Sequence, residues 1–170
     1  MLIVGQQAPD FEAINQDGVS VKLSDFRGHC VVLYCYPKDF TPGCTKEACD
    51  FQHALKDLQQ LGTVVLGVNL QSPEKHRLFA NKYNLHFSLL SDPEGEIVSL
   101  YSSWNRWRYF GIWFGAIDRS TFILDDQGKI RRIWRNVNLK THTEEVLEFL
   151  RTLKLLQKNV SPETLFSPRL

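Results

Sequence analysis

Cys44 and Cys49 lie in the segment Tyr36-Pro37-Lys38-Asp39-Phe40-Thr41-Pro42-Gly43-Cys44-Thr45-Lys46-Glu47-Ala48-Cys49. Thiols so close in sequence can act as nucleophiles, pair in a disulfide or bind metal. The apolar run Val31–Tyr36 before them reads as a buried strand, and Ala48–Leu61 after them reads as a helix. Thr41 fits the N-cap of that helix, Pro42 its first position and Cys44 its third. A thiol there sits among unpaired N–H groups at the positive end of the helix, which stabilises its thiolate and makes Cys44 the candidate nucleophile. On an ideal helix, residues i and i+5 are separated by ~7.5 Å of rise and ~140° of turn, a Cα distance of ~8.7 Å. A disulfide needs Cα atoms within about 7 Å. Cys44 and Cys49 therefore imply two states, a folded helix start with a reactive thiolate and a locally unwound one that permits a disulfide.

The elements that must position these thiols follow from patterning. Phe11–Asn15 and Val19–Leu23 read as a hairpin about Asp17-Gly18. A strand Cys30–Tyr36, a helix from Pro42 to Leu61 ended by Gly62, and a buried strand Thr63–Asn69 come next. Ser72 and Pro73 introduce a helix Pro73–Tyr83, and His86–Leu90 is a short strand closed by the turn Asp92-Pro93-Glu94-Gly95. Tyr101–Phe114 has no clean period and stays unassigned. Thr121–Leu124 and Ile130–Arg135 form a second hairpin. Thr141 and Glu144 read as a capping box for a last helix that turns Val146, Leu147, Phe149, Leu150 and Leu153 inward. The tail from Ser161, with Pro162 and Pro168, reads as a poorly ordered terminus. This order predicts an α/β fold: a mixed sheet with helices on both faces and an N-terminal hairpin.

At 170 residues the chain is most simply one domain. Its 20 Lys and Arg against 19 Asp and Glu leave a net charge of +1 without a charged block, which argues against nucleic acid or an acidic partner as the main ligand. No apolar run approaches the ~20 residues of a membrane span. The start Met1–Gln7 lacks the features of a secretory signal, so a cytoplasmic setting is expected. There the four cysteines serve as thiols, catalytic groups or ligands rather than as a disulfide framework.

Other chemistries fit less well. A four-thiolate zinc site would need Cys30 and Cys35 together, yet on one strand they lie ~16 Å apart on opposite faces, which suits core residues. A Cys/His hydrolase could use His142 or His53, but no local motif supports it, and exposed or capping histidines are the ordinary explanation. Arg119 by itself would be a solvated charge. It does precede the strand Thr121–Leu124, and a permanent cation with a fork of donors suits thiolate chemistry. The aromatic stretch Trp104–Phe114 could stack on single-stranded nucleic acid, but neutral charge weakens that reading.

Pro37, Thr41 and Cys44 stand in the P-x-x-x-T-x-x-C arrangement of peroxiredoxins. With Cys49 the segment resembles the Q-type subfamily, also called bacterioferritin comigratory protein. Gly5–Phe11, Leu90–Gly95 and Arg119–Asp125 agree as well, and the resemblance spans roughly Leu2 to Leu156. It implies a thioredoxin-like fold over residues 1–156, with 157–170 as a tail, and a thiol peroxidase of antioxidant defence acting on hydrogen peroxide and organic hydroperoxides. In the implied cycle Cys44 becomes a sulfenic acid and condenses with Cys49, and thioredoxin or a similar dithiol reduces the disulfide. Thr41, Arg119 and helix N–H groups would hold the peroxide oxygens, Pro37 would shield the sulfur, and Glu47 would orient Arg119. No metal, haem or flavin is implied, no nucleic acid or membrane partner, and the chain is expected to be a monomer. The stretch Trp104–Phe114 departs from the more polar family pattern and suggests an apolar collar favouring bulky hydroperoxides. The alternatives are a redox sensor and a thiol–disulfide oxidoreductase, although the usual C-x-x-C of the latter is absent.

Overall fold

The computed structural model describes residues 1–101, 104–110 and 112–159, with the backbone alone for 104–109, 112–115 and 159. The chain runs β1 (Glu12–Asn15), β2 (Ser20–Lys22), a 3-10 turn (Leu23–Phe26), β3 (Cys30–Cys35), α1 (Pro42–Gln60), β4 (Thr63–Asn69), α2 (Pro73–Tyr83), β5 (Ser88–Ser91) and α3 (Glu96–Tyr101). It continues through β6 (Trp104–Tyr109), β7 (Ile112–Ile117), β8 (Ser120–Leu124), β9 (Ile130–Arg135) and α4 (His142–Asn159).

Seven strands form one sheet in the order β2-β1-β5-β4-β3-β8-β9. β3, β4 and β5 are mutually parallel, joined by the α1 and α2 crossovers, while β1, β2, β8 and β9 add antiparallel edges. β3 is central, which explains its unbroken apolar run: every residue from Cys30 to Cys35 is buried. Its alternation sorts the core. Cys30, Val32, Tyr34 and Tyr36 face α1, α2 and α4 among Phe51, Leu58, Phe79 and Leu150. Val31, Leu33 and Cys35 face the other layer with Phe11, Val98, Tyr101 and Phe122. The sheet is thus covered on both faces, and Cys30 and Cys35 lie in opposite layers, as their strand parity requires. At Gly67 of β4 an added Cβ would fall 2.7 Å from the Tyr34 ring, so only glycine lets that ring cross the sheet.

The strands and helices expected from patterning are present within one or two residues, with three differences. Glu96–Tyr101 forms α3, begun by Asp92, whose carboxylate accepts from the N–H groups of Glu96 and Val98. The unassigned stretch contains a two-stranded ribbon, β6 paired with β7 from Trp104↔Ile117 to Tyr109↔Ile112. Its side chains at 104–109 and 111–114, and with them the expected apolar collar, lie outside the described residues. At the start of α4 the expected capping box is absent: the Thr141 hydroxyl donates to Glu145, not Glu144, at 2.5 Å. α4 continues through Asn159, and the expected disordered tail from Ser161 lies outside the described residues.

Candidate active site

The loop 36–41 carries the chain from the C-terminal end of β3 to the start of α1. Thr41 occupies the N-cap position with extended φ −71° and ψ 149°, and Pro42 follows at the first helical position. The cap itself differs from expectation. The Thr41 hydroxyl donates to the Lys38 carbonyl at 3.1 Å and caps no N–H of α1. The first N–H groups of α1 are therefore left without a side-chain cap, at the end where the helix dipole is positive.

Cys44 stands at the third helical position and is 1% exposed. Arg119 reaches it from across the sheet. β8 runs antiparallel to β3 with Ser120 opposite Cys35, so Arg119, just before β8, is placed where β3 gives way to the loop. Its Nη2 donates to Cys44 Sγ at 3.2 Å and its Nη1 donates to Glu47 Oε2. Gly43 makes room for this approach, since a Cβ there would lie 3.4 Å from Arg119 Nη2 and 3.2 Å from Leu139. Burial opposes the charge of Arg119, but Glu47 and Cys44 outweigh it, and the guanidinium holds its proton more tightly than usual.

Glu47, one turn after Cys44, is buried rather than the surface side chain its helix position also allowed. Burial pushes its carboxyl up to about 7 despite the opposing pull of Arg119. Oε2 is held by Arg119, whereas Oε1 has no hydrogen-bond partner. Cys49 lies further along α1, partly buried, and its thiol is a free one like that of Cys44. Burial and the neighbouring Asp50 carboxylate raise the Cys49 thiol above its ordinary value. Because α1 is continuous from Pro42 to Gln60, the helix keeps the two sulfurs apart at the ~8.7 Å Cα spacing of ideal geometry. Pro37 is exposed at the start of the loop.

The histidines were expected to be exposed or capping, and His29, His53 and His86 are exposed, whereas His76 and His142 are buried. His142 has Nε2 at 2.8 Å from the Thr121 hydroxyl and its ring against Phe51 and Trp134. Burial lowers His142 to about 4, and Arg119 nearby adds to the effect. The hydrogen bond at Cys44 Sγ is donated by Arg119, so the cysteine is organised by a guanidinium rather than an imidazole. His76 is fully buried and bonded to Asp39 within the loop. Its spacing with Phe79 and Ala80 on the inner face of α2 was the sequence signal that could have found it. Among the described residues no cluster of three His, Cys, Asp or Glu side chains is arranged to hold a metal ion.

A buried thiol at an uncapped helix start, bonded to a fixed cation, suits attack by sulfur on an electrophile that gains negative charge as it leaves. The family model described as AhpC/TSA matches residues 4–133. Peroxiredoxin Bcp of Bacillus subtilis is 43% identical over 150 residues, covering 88% of this chain and 96% of that protein. Peroxiredoxin Bcp of Escherichia coli K12 is 37% identical over the same coverage. Among solved structures, PrxQ of Xylella fastidiosa superposes with a TM-score of 0.82 at 29% identity, over 90% of this chain and 98% of that one. The bacterioferritin comigratory protein of Xanthomonas campestris, studied for alkyl peroxide reduction, gives a TM-score of 0.78 at 31% identity, over 85% and 92% of the two chains.

Proposed function

The chain belongs to the AhpC/TSA family and is a peroxiredoxin, a thiol-dependent peroxidase of thioredoxin-like fold; from that premise we propose that Cys44 is its peroxide-attacking thiolate and Cys49 its resolving thiol. Hydroperoxides are its substrates and a thiol its reductant. The observation that carries the reading is the Arg119 fork, with one amine on Cys44 Sγ and the other on Glu47.

In the proposed cycle the Cys44 thiolate attacks the terminal oxygen of the hydroperoxide. The S–O bond forms as the O–O bond breaks, leaving a sulfenic acid and an alkoxide or hydroxide that takes up a proton. Arg119, the Thr41 hydroxyl and the free N–H groups of α1 hold the oxygens as charge moves from sulfur to the leaving oxygen. Pro37 limits access of solvent to the sulfur. The first turns of α1 then unwind, the Cys49 thiol displaces water from the sulfenic acid, and a Cys44–Cys49 disulfide forms. Unwinding also takes Cys49 out of the burial that raises its thiol, making it a better attacker when it is needed. Thioredoxin or a similar dithiol protein reduces the disulfide. We place this activity in a monomer in the cytoplasm, carried by residues 1–156 without the tail 157–170. No helix among the described residues is long and apolar enough to cross a membrane.

Turnover of hydrogen peroxide with thioredoxin and its reductase tests the assignment. Cys44→Ser is expected to abolish turnover, and Cys49→Ser to reduce one equivalent of peroxide and then stall. Full recycling by Cys49→Ser would remove Cys49 from the resolving role.

A further inference from the structure

The loop that delivers Thr41 and Cys44 is tied to α2 through two adjacent side chains of its own, Asp39 and Phe40. Asp39 is 2% exposed, and its carboxylate accepts at both oxygens. Oδ1 takes the Tyr36 hydroxyl at 2.7 Å and the Asn69 amide at 3.0 Å, while Oδ2 faces His76 Nδ1 at 2.7 Å. The Asp39 N–H donates to Gln71 Oε1 at 2.6 Å. The second ring nitrogen of His76 faces the Leu90 carbonyl oxygen at 3.2 Å. One ring nitrogen thus reaches Asp39 in the loop and the other reaches the backbone of β5, so the imidazole bridges the two. Both side chains are fully buried, so loss of one partner would leave a polar atom of the other without its hydrogen bond.

Phe40, the next residue, has φ 65°, a left-handed conformation that bulky residues rarely adopt. Its ring packs edge-on to Phe79 at 5.1 Å and against Tyr83 at 6.3 Å. His76, Phe79 and Tyr83 share one face of α2, so the buried hydrogen bond and the aromatic contact pull the loop onto the same helix. α1 begins at Pro42, two residues after Phe40, so these contacts fix the direction in which its first turn leaves the loop.

We propose that His76, acting through Asp39, is a positioning residue that holds the Cys44 loop in its peroxide-reactive shape and thereby sets the balance against the unwound form needed for the Cys44–Cys49 bond. The proposal rests on the assignment of those two cysteines. It requires that weakening the grip change the two half-reactions in opposite directions, because attack needs the folded loop and disulfide formation needs the open one.

Asp39→Asn is the cleanest test. The amide keeps the size of the carboxylate and its oxygen can still accept from Tyr36 and Asn69, while the oxygen that faces His76 Nδ1 is replaced by an NH2 group. Rapid mixing with one equivalent of hydrogen peroxide is expected to show attack slowed about tenfold and disulfide formation accelerated about tenfold, within what disrupting a buried hydrogen bond can do. In the reduced protein, with no peroxide present, hydrogen exchange at the amides of 43–47 should quicken by a similar factor. His76→Gln, read in the same ways, replaces Asp39→Asn if that variant does not fold. Both rates moving in the same direction would overturn the proposal, as would rates and exchange all within about twofold of wild type. If peptide mapping of the oxidised wild type shows a linkage other than Cys44–Cys49, the cysteine assignment fails, and exchange at 43–47 still decides the role of His76.

Discussion

α1 and α2 begin with the same local grammar, a hydroxyl residue followed by proline, Thr41-Pro42 in one and Ser72-Pro73 in the other. At α2 the grammar works as written: Ser72 Oγ accepts from the Lys75 N–H at 3.5 Å, and Glu74 adds an acid to the first turn. At α1 the hydroxyl turns back to Lys38, no acid occupies the first turn, and a thiol stands at the third position, where a capping box would put Glu or Gln. A cap is worth about 0.5–2 kcal/mol. α1 forgoes that local contribution, leaves its first N–H groups without a side-chain cap, and relies on distant partners for its order: Arg119 through Cys44 and Glu47, and α2 through Asp39 and Phe40. A helix start held from outside can be reactive when held and can open when released, which a two-state redox site requires.

The contrast breaks most visibly at Arg119. Arg119→Met is expected to slow attack on hydrogen peroxide by about 10²–10³-fold, the usual effect of removing a donor aimed at developing charge. Stopped-flow measurement of the first turnover gives the value. A loss smaller than about tenfold would mean that the helix start alone organises Cys44.

The pH dependence of stability separates the start of α1 from that of α4. His142, first in α4, is lowered by burial from 6.5 to about 4, so the folded protein binds fewer protons than the unfolded one between those values. Its contribution is full above about 6.5 and is lost as pH falls towards about 4, on the order of 3 kcal/mol. Glu47 in α1 runs the other way: raised from 4.5 to about 7, it binds more protons folded, and its contribution is full below 4.5 and lost as pH rises through about 7. Thermal melts from pH 7 to 4.5 should therefore show less acid destabilisation in His142→Asn than in wild type, and more in Glu47→Gln. Identical acid profiles in all three proteins would refute both assignments.

The smallest effects sharpen the comparison directly. Ser72→Ala is expected to cost about 0.5–1 kcal/mol of stability and leave peroxide reduction unchanged. Thr41→Val should cost less stability than that, since no cap is lost, yet slow peroxide attack. Denaturant unfolding and initial rates on both variants would show it, and a larger stability loss at Thr41 than at Ser72 would erase the distinction.

The sequence was most legible where a single periodicity governs an element. β3 reads correctly because a central strand buried on both faces must be apolar throughout, and the limits of α2 follow from Ser72, Pro73 and the pattern up to Tyr83. The third helical position of Cys44 was legible from the sequence, while its meeting with Arg119, 75 positions away, depends on the β3–β8 register, which local patterning does not give. What was misread depends on orientation rather than composition. Thr41 and Thr141 are residues that commonly cap, but one hydroxyl turns to a preceding carbonyl and the other to Glu145. α3 is only six residues long and starts from Asp92, too short for a helical period to emerge. The place of His76 on the buried face of α2 is visible in its spacing, but its contact with Asp39, 37 residues away, is not.

The order of events at the two thiols is read by peptide mapping of aliquots drawn at intervals after one equivalent of hydrogen peroxide, each quenched with a sulfenic-acid trap added only at that moment. Label on Cys44 is expected in the earliest aliquots and less of it in later ones as a Cys44–Cys49 linkage appears, with Cys30 and Cys35 unmodified throughout. Label first on any other cysteine, or a lasting linkage that leaves out Cys44 or Cys49, would contradict the assignment of the two thiols.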